Sequence, residues 1–252
     1  MPHSTDLEYG QRAIPQYERA VTLAGGEPVR IRLDRSAAEV RALIKNCAGV
    51  LLPGSNADVD PARFQQERSA RTANADLRRE AVDDLLLEDA YARRKPVLGI
   101  CYGLQSLNVF CKGSLIQHIA DFLPEDTRAK VNHEAGKTVA VAHSVEIDPA
   151  SLLARISCGD NRLRLSGRAE TRNSKGNRLI VPVNSSHHQS AANAGESLRI
   201  VARCPDDGII EALEGTSPNH FVVAVQWHPE RSVDDDAASR AIFQALVSAC
   251  KE

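Results

Sequence analysis

The sequence predicts an α/β fold: a single domain, residues 1–252, with a central, mostly parallel sheet flanked by helices and extended by antiparallel strands. Three observations predict it. Short apolar runs at residues 49–52, 96–100 and 221–226 alternate with longer segments of helical period. Proline, glycine or polar residues stop each run, as at the carboxyl end of a buried strand. After residue 137 the pattern changes to strands separated by short turns, including Pro205-Asp206-Asp207-Gly208, which suits antiparallel pairing.

The elements follow in order. Residues 11–24 place Ile14, Tyr17, Val21 and Ala24 on one face, with Pro15 in the first turn and Gly25-Gly26 ending the helix. Residues 29–33 read as a short strand. Ser36 caps a helix to about Lys45. Residues 49–52 form a buried strand ending at Pro53-Gly54. Residues 74–94 form a long helix with Leu77, Ala81, Leu85 and Leu86 inward, and the mixed charges Arg71, Arg78, Arg79, Glu67 and Glu80 read as a solvated face. Strand 96–100 leads into helix 104–111. Strands follow at 138–147 and within 198–213, a polar turn at 173–177, a strand at 221–226 and a closing helix at 237–249. Residues 1–9 carry no strand-like run, although a doubly wound sheet usually opens with a central strand. Either the sheet lacks that strand or the start codon is placed too late.

The composition narrows the function classes. The chain has 252 residues, enough for a sizeable core, and a net charge of −2, which gives no global field toward nucleic acid or an anionic membrane. No apolar run approaches the roughly 20 residues that cross a bilayer, and the N-terminus lacks the regions of a secretory signal, so a cytoplasmic location is expected. The six cysteines form no CxxC pair and no Cys/His spacing of a zinc site, so most should be free thiols.

Two stretches carry chemistry. PVLGICYGLQ, residues 96–105, is an apolar strand, a Gly99-Ile100-Cys101-Tyr102-Gly103 turn and a helix: a nucleophile elbow with Cys101 at its apex. At the amino end of a helix, unpaired N–H groups and the helix dipole favour a thiolate, and the Tyr102 N–H faces a developing oxyanion. A core cysteine beside a tight turn is the bland alternative. FVVAVQWHPE, residues 221–230, is a second strand whose end carries His228 and Glu230. A cysteine nucleophile needs a base near neutrality and a carboxylate to hold that base in one tautomer. Both stretches put their residue at a strand's carboxyl end, where α/β sheets bind ligands.

With GICYGLQ and QWHPE in view, the chain resembles the class I glutamine amidotransferase superfamily, whose layering is flavodoxin-like. GVLLPGSNADVDP (49–61), CYGLQSLNVFCKGSLIQHI (101–119) and VNSSHHQS (183–190) narrow the resemblance to the peptidase C26-like γ-glutamyl hydrolases, which include γ-glutamyl-γ-aminobutyrate hydrolases. The resemblance implies Cys101 as nucleophile, His228 as base and Glu230 as its partner. It implies Gly54 and Tyr102 as oxyanion donors, with Ser55 a second choice because the loop is one residue longer than usual. Gln105, Ser186, His187, His188 and Gln189 would line the γ-glutamyl pocket.

The implied reaction is hydrolysis of a γ-glutamyl amide through a thioester on Cys101, with no metal or cofactor required. The expected partner is a small γ-glutamyl substrate, with no nucleic acid and no membrane; a homodimer is compatible with the sequence. The alternatives are a glutaminase subunit delivering ammonia to a separate synthetase, and a non-catalytic binding protein on the same fold. Residues 121–137 and 161–177 are expected to select the leaving amine. Cys111 is expected to pack structurally on its helix.

Overall fold

The computed structural model describes residues 2–136, 139–158 and 179–251. In chain order the elements are α1 (Leu7–Leu23), α2 (Ala37–Ile44), β1 (Val50–Leu52), α3 (Leu77–Arg93), β2 (Val97–Ile100), α4 (Tyr102–Phe110), β3 (Ser114–Ile116), the single turns α5 (Ile119–Phe122) and α6 (Glu125–Arg128), β4 (His143–Ile147), α7 (Leu152–Cys158), β5 (Leu179–Val183), β6 (Ser190–Asn193), β7 (Leu198–Arg203), β8 (Ile210–Gly215), β9 (Val222–Val225) and α8 (Ala237–Ala249). The expected turn at 173–177, the loop at 161–177 and part of the strand expected at 138–147 lie outside the described residues.

A seven-stranded sheet in the order β1-β2-β9-β8-β7-β4-β5 organises these elements. The pairs β1–β2 and β2–β9 are parallel, and every pair from β9 onward to β5 is antiparallel. β3 and β6 form a separate antiparallel pair. The α/β class and the antiparallel addition thus stand as the sequence predicts, with three strands in the parallel part. β2 and β9 are buried along their whole length, as continuous apolar runs require when both sheet faces are covered. No described helix is long and apolar enough to cross a membrane.

Local signals explain most boundaries. Ser36 and Glu39 make a reciprocal capping box at the start of α2. Asp236 caps α8 through the N–H groups of Ala238 and Ser239. Asp6 caps α1 at Tyr9, so the helix begins earlier than expected and Pro15 lies inside it rather than in its first turn.

Three expectations need correction. No strand forms at residues 29–33. Val29 is exposed, while Ile31 and Leu33 pack with Val40 and Ile44 of α2 and Val82 of α3. Their alternating burial is against helices, and a cavity of about 500 Å³ lined by Ile14, Tyr17, Ile31, Val50 and Val82 separates them from β1. Among the described residues no strand precedes α1, and β1 is the sheet edge. The inward face of α3 also differs: Leu77 and Ala81 are exposed, whereas Arg79, Glu80, Val82, Asp83, Leu87 and Ala90 are buried. The face read as solvated therefore contains a fully buried ion pair, Arg79 Nε to Asp83 Oδ1 at 2.7 Å.

Candidate active site

The site lies where β2 and β9 end side by side. Gly99 pairs with Ala224 and Ile100 with Val225, and the Cys101 N–H donates to Val225 O at 2.8 Å. The chain then turns sharply. Cys101 has φ 54° and ψ −107°, a conformation L-residues seldom adopt, and α4 starts at the next residue. Two glycines make this turn fit. A Cβ on Gly99 would lie 2.8 Å from Gly103 O, and one on Gly103 would collide with Leu52 O of β1.

His228 and Glu230 occupy the turn that follows β9. His228 Nδ1 bonds Glu230 Oε1 at 2.7 Å, which places the proton on Nδ1 and leaves Nε2 as the basic nitrogen. No group other than Cys101 is placed to bond that Nε2. Burial alone would depress the imidazole pKa, but the Glu230 carboxylate and neighbouring Cys101 outweigh it and raise the pKa to about 9. Glu230 is held below the usual carboxylate range: burial opposes this, and the His228 charge overcomes it. Asn184 clamps the His228 backbone, donating Nδ2–H to His228 O at 2.9 Å and accepting the His228 N–H at 2.8 Å. Arg231 lies 3.6 Å from Glu230 Oε1.

The two candidate oxyanion donors differ in their present partners. Tyr102 is the first residue of α4, whose leading N–H groups find no acceptor within the helix. The Gly54 N–H, by contrast, donates to Tyr17 Oη at 3.0 Å. Gly54 itself abuts His228, since a Cβ there would lie 3.1 Å from His228 Cε1. Tyr9 and Tyr17 of α1 pack in one cluster with Cys101 and Trp227. Burial raises both phenol pKa values above their ordinary range. The 500 Å³ cavity at the β1 edge holds none of Cys101, His228 and Glu230.

The 184–189 loop divides its side chains. Ser186 Oγ accepts from Arg231 at 3.0 Å. His188 Nε2 meets Asp58 Oδ1 at 3.0 Å, tying this loop to the one after β1 and raising its pKa. Gln105 Nε2 donates to Gln189 O at 3.1 Å and to Gln226 Oε1 at 3.3 Å. Gln189 Nε2 donates to Gln117 O. His187 is fully enclosed and faces away into a group of histidines around Glu211. Cys111 packs as expected, with Sγ 3.1 Å from the Tyr91 hydroxyl.

Sequence reasoning missed Asn184, Arg79 and Tyr17. Asn184 sits inside VNSSHHQS, so that motif was the available signal. The other two carry none. Arg79 donates to Pro53 O at 2.8 Å, and its guanidinium lies 4.8 Å above the Tyr102 ring, so it braces both the loop after β1 and the first residue of α4.

The sequence profile described as peptidase C26 matches residues 2–230. A glutamine amidotransferase-like protein of Rickettsia prowazekii is 32% identical over 251 residues, covering 93% of this chain and 88% of that one. The γ-glutamyl-γ-aminobutyrate hydrolase PuuD of Escherichia coli K12 is 31% identical over 244 residues, covering 94% and 85%. Among solved structures, the glutaminase domain of Trypanosoma brucei CTPS has a TM-score of 0.56 at 17% identity, covering 98% of this chain and 89% of that one, a likeness of fold.

Proposed function

For a chain that belongs to the peptidase C26 family, we propose hydrolysis of a γ-glutamyl amide to glutamate and a free amine, through a thioester on Cys101. One observation carries the reading. A cysteine held in a strained elbow ends one strand, and a His228–Glu230 pair whose Nε2 has no partner but Cys101 ends the neighbouring strand.

The chemistry follows from those groups. His228 Nε2 takes the Cys101 thiol proton as the sulfur attacks the γ-carbonyl carbon and forms a C–S bond. The carbonyl oxygen gains the negative charge, facing the Tyr102 N–H; each such donor contributes about 3 kcal/mol in comparable sites. Collapse breaks the C–N bond while His228 Nε2 delivers its proton to the leaving amine. His228 then takes a proton from water, which attacks the thioester and releases glutamate and the Cys101 thiol. Gly54 joins as a second donor once Tyr17 Oη gives up its N–H.

The γ-glutamyl-γ-aminobutyrate hydrolases at 31% identity support this bond type. The purified chain should turn over γ-glutamyl-γ-aminobutyrate faster than glutamine. Cys101→Ser should abolish turnover while substrate still binds by calorimetry. Glutamine hydrolysis that emerges only with an added synthetase would replace the proposal with a partner-dependent glutaminase. Full activity in Cys101→Ser would move the nucleophile elsewhere.

A further inference from the structure

Behind the 184–189 loop, four side chains from four separate segments converge: His133, His143 at the start of β4, His187 and Glu211 of β8. Their side chains are at most 3% exposed. Glu211 Oε1 lies 3.3 Å from His133 Nδ1, 3.5 Å from His143 Nε2 and 3.7 Å from His187 Nε2. All three nitrogens and both Glu211 oxygens lack a hydrogen-bond partner.

The far nitrogen of each ring fixes its tautomer. His143 Nδ1 bonds Ser144 O, His187 Nδ1 bonds Gln189 O, and His133 Nε2 bonds an Asp207 carboxylate oxygen at 2.7 Å. Those partners only accept, so each far nitrogen carries the hydrogen. In the neutral rings, three lone pairs and a carboxylate therefore point at one another in a dry pocket. A single proton on His133 would satisfy one of these contacts and leave two lone pairs facing Glu211. A cation at the centre satisfies all four. Outer hydrogen bonds of this kind, to a carboxylate or a backbone carbonyl, are what orient metal-bound histidines. Bonds of 2.0–2.1 Å to zinc imply tetrahedral ligand separations of about 3.3 Å, close to the three Glu211–histidine spacings, and all four ligand atoms lie within 4.8 Å of one another.

We propose that His133, His143, His187 and Glu211 bind one divalent transition-metal ion, zinc by the nature of the ligand set, in a closed four-coordinate structural site. The ion sits outside the proposed Cys101 chemistry and does not depend on it. It fastens the 184–189 loop to β4 and β8. Through Gln189 O, which accepts from both His187 and Gln105, it steadies the nucleophile helix.

The full chain, expressed with zinc supplied and dialysed against metal-free buffer, should hold about one zinc per chain by elemental analysis. Glu211→Gln and His143→Ala should each lose most of that metal. Substitution in a buried cluster also threatens the fold, so the wild-type chain supplies a second readout: a strong chelator should lower its Tm by several degrees, and one equivalent of Zn²⁺ should restore it. Cys204 lies beside His133 and Asp207 and offers the competing sulfur ligand; Co²⁺ in place of zinc should give a tetrahedral d–d spectrum without a thiolate charge-transfer band, unchanged in Cys101→Ser and Cys204→Ser. Metal far below one per chain, with a Tm indifferent to chelator and to Zn²⁺, would overturn the proposal. A thiolate band that vanishes in either cysteine variant would also overturn it, by placing the ion on sulfur.

Discussion

At Cys101 the backbone holds a conformation that costs about 1–3 kcal/mol for a residue with a Cβ. Glycine escapes that cost. Cys101→Gly should therefore unfold at higher urea than Cys101→Ala, by about 1 kcal/mol, despite the usual entropic penalty of glycine. The His228–Glu230 pair makes a second residue-scale prediction. The folded pKa of His228, about 9, lies above the ordinary 6.5. Its stabilising contribution is therefore full below about pH 6.5 and is lost as pH rises through about 9. Tm measured across that window should fall for the wild type and fall less steeply for Glu230→Gln. At this scale Cys101, His228 and Glu230 were legible because their chemistry imposes local patterns: glycines around a sharp turn, and a histidine two residues from a carboxylate. The partner of the Gly54 N–H was not legible, because Tyr17 arrives from a helix 37 residues away.

Among the elements, α3 shows where periodicity misleads. Apolar spacing selects Leu77 and Ala81, yet the buried side carries Arg79 and Asp83. A buried ion pair looks, in sequence, like a solvated face. Arg79→Met should destabilise by about 3–5 kcal/mol, because Asp83 is left buried without its cation, whereas the double variant Arg79→Met/Asp83→Leu should recover much of the loss. Denaturant melts of the three variants measure this directly. Residues 29–33 fail for a related reason. Alternating burial marks a strand only when a neighbouring strand is there to pair, and here the neighbours are α2 and α3. The histidine cluster was illegible as a metal-ligand spacing because its members come from four segments. A CxxC-type search sees ligands on one turn, not ligands that a sheet gathers.

Across the whole molecule, the long-range pairing of β2 with β9 sets the order of events. Gln105 and Gln226, which bond across that junction, are 121 residues apart in sequence. Contacts of such separation form late, since closing so long a loop must precede any reward. On refolding from urea, helical circular dichroism should therefore return before hydrolytic activity. Simultaneous recovery of both signals would contradict this order. The α/β class was readable because it depends on the alternation of elements, which is local. The extent of the antiparallel part was not, because strand order is decided by pairings that no short segment reveals.

The same junction bears on the protein's synthesis. The segment with Cys101 leaves the ribosome well before β9 is made. Until β9 docks, the cysteine has neither His228 nor Glu230 beside it. On the proposed chemistry, a nascent chain thus carries no activated sulfur that bystander amides or esters could acylate. If Cys101 acts as proposed, its sulfur gains a base only on completion of the sheet, so the fold doubles as a timer on its own chemistry.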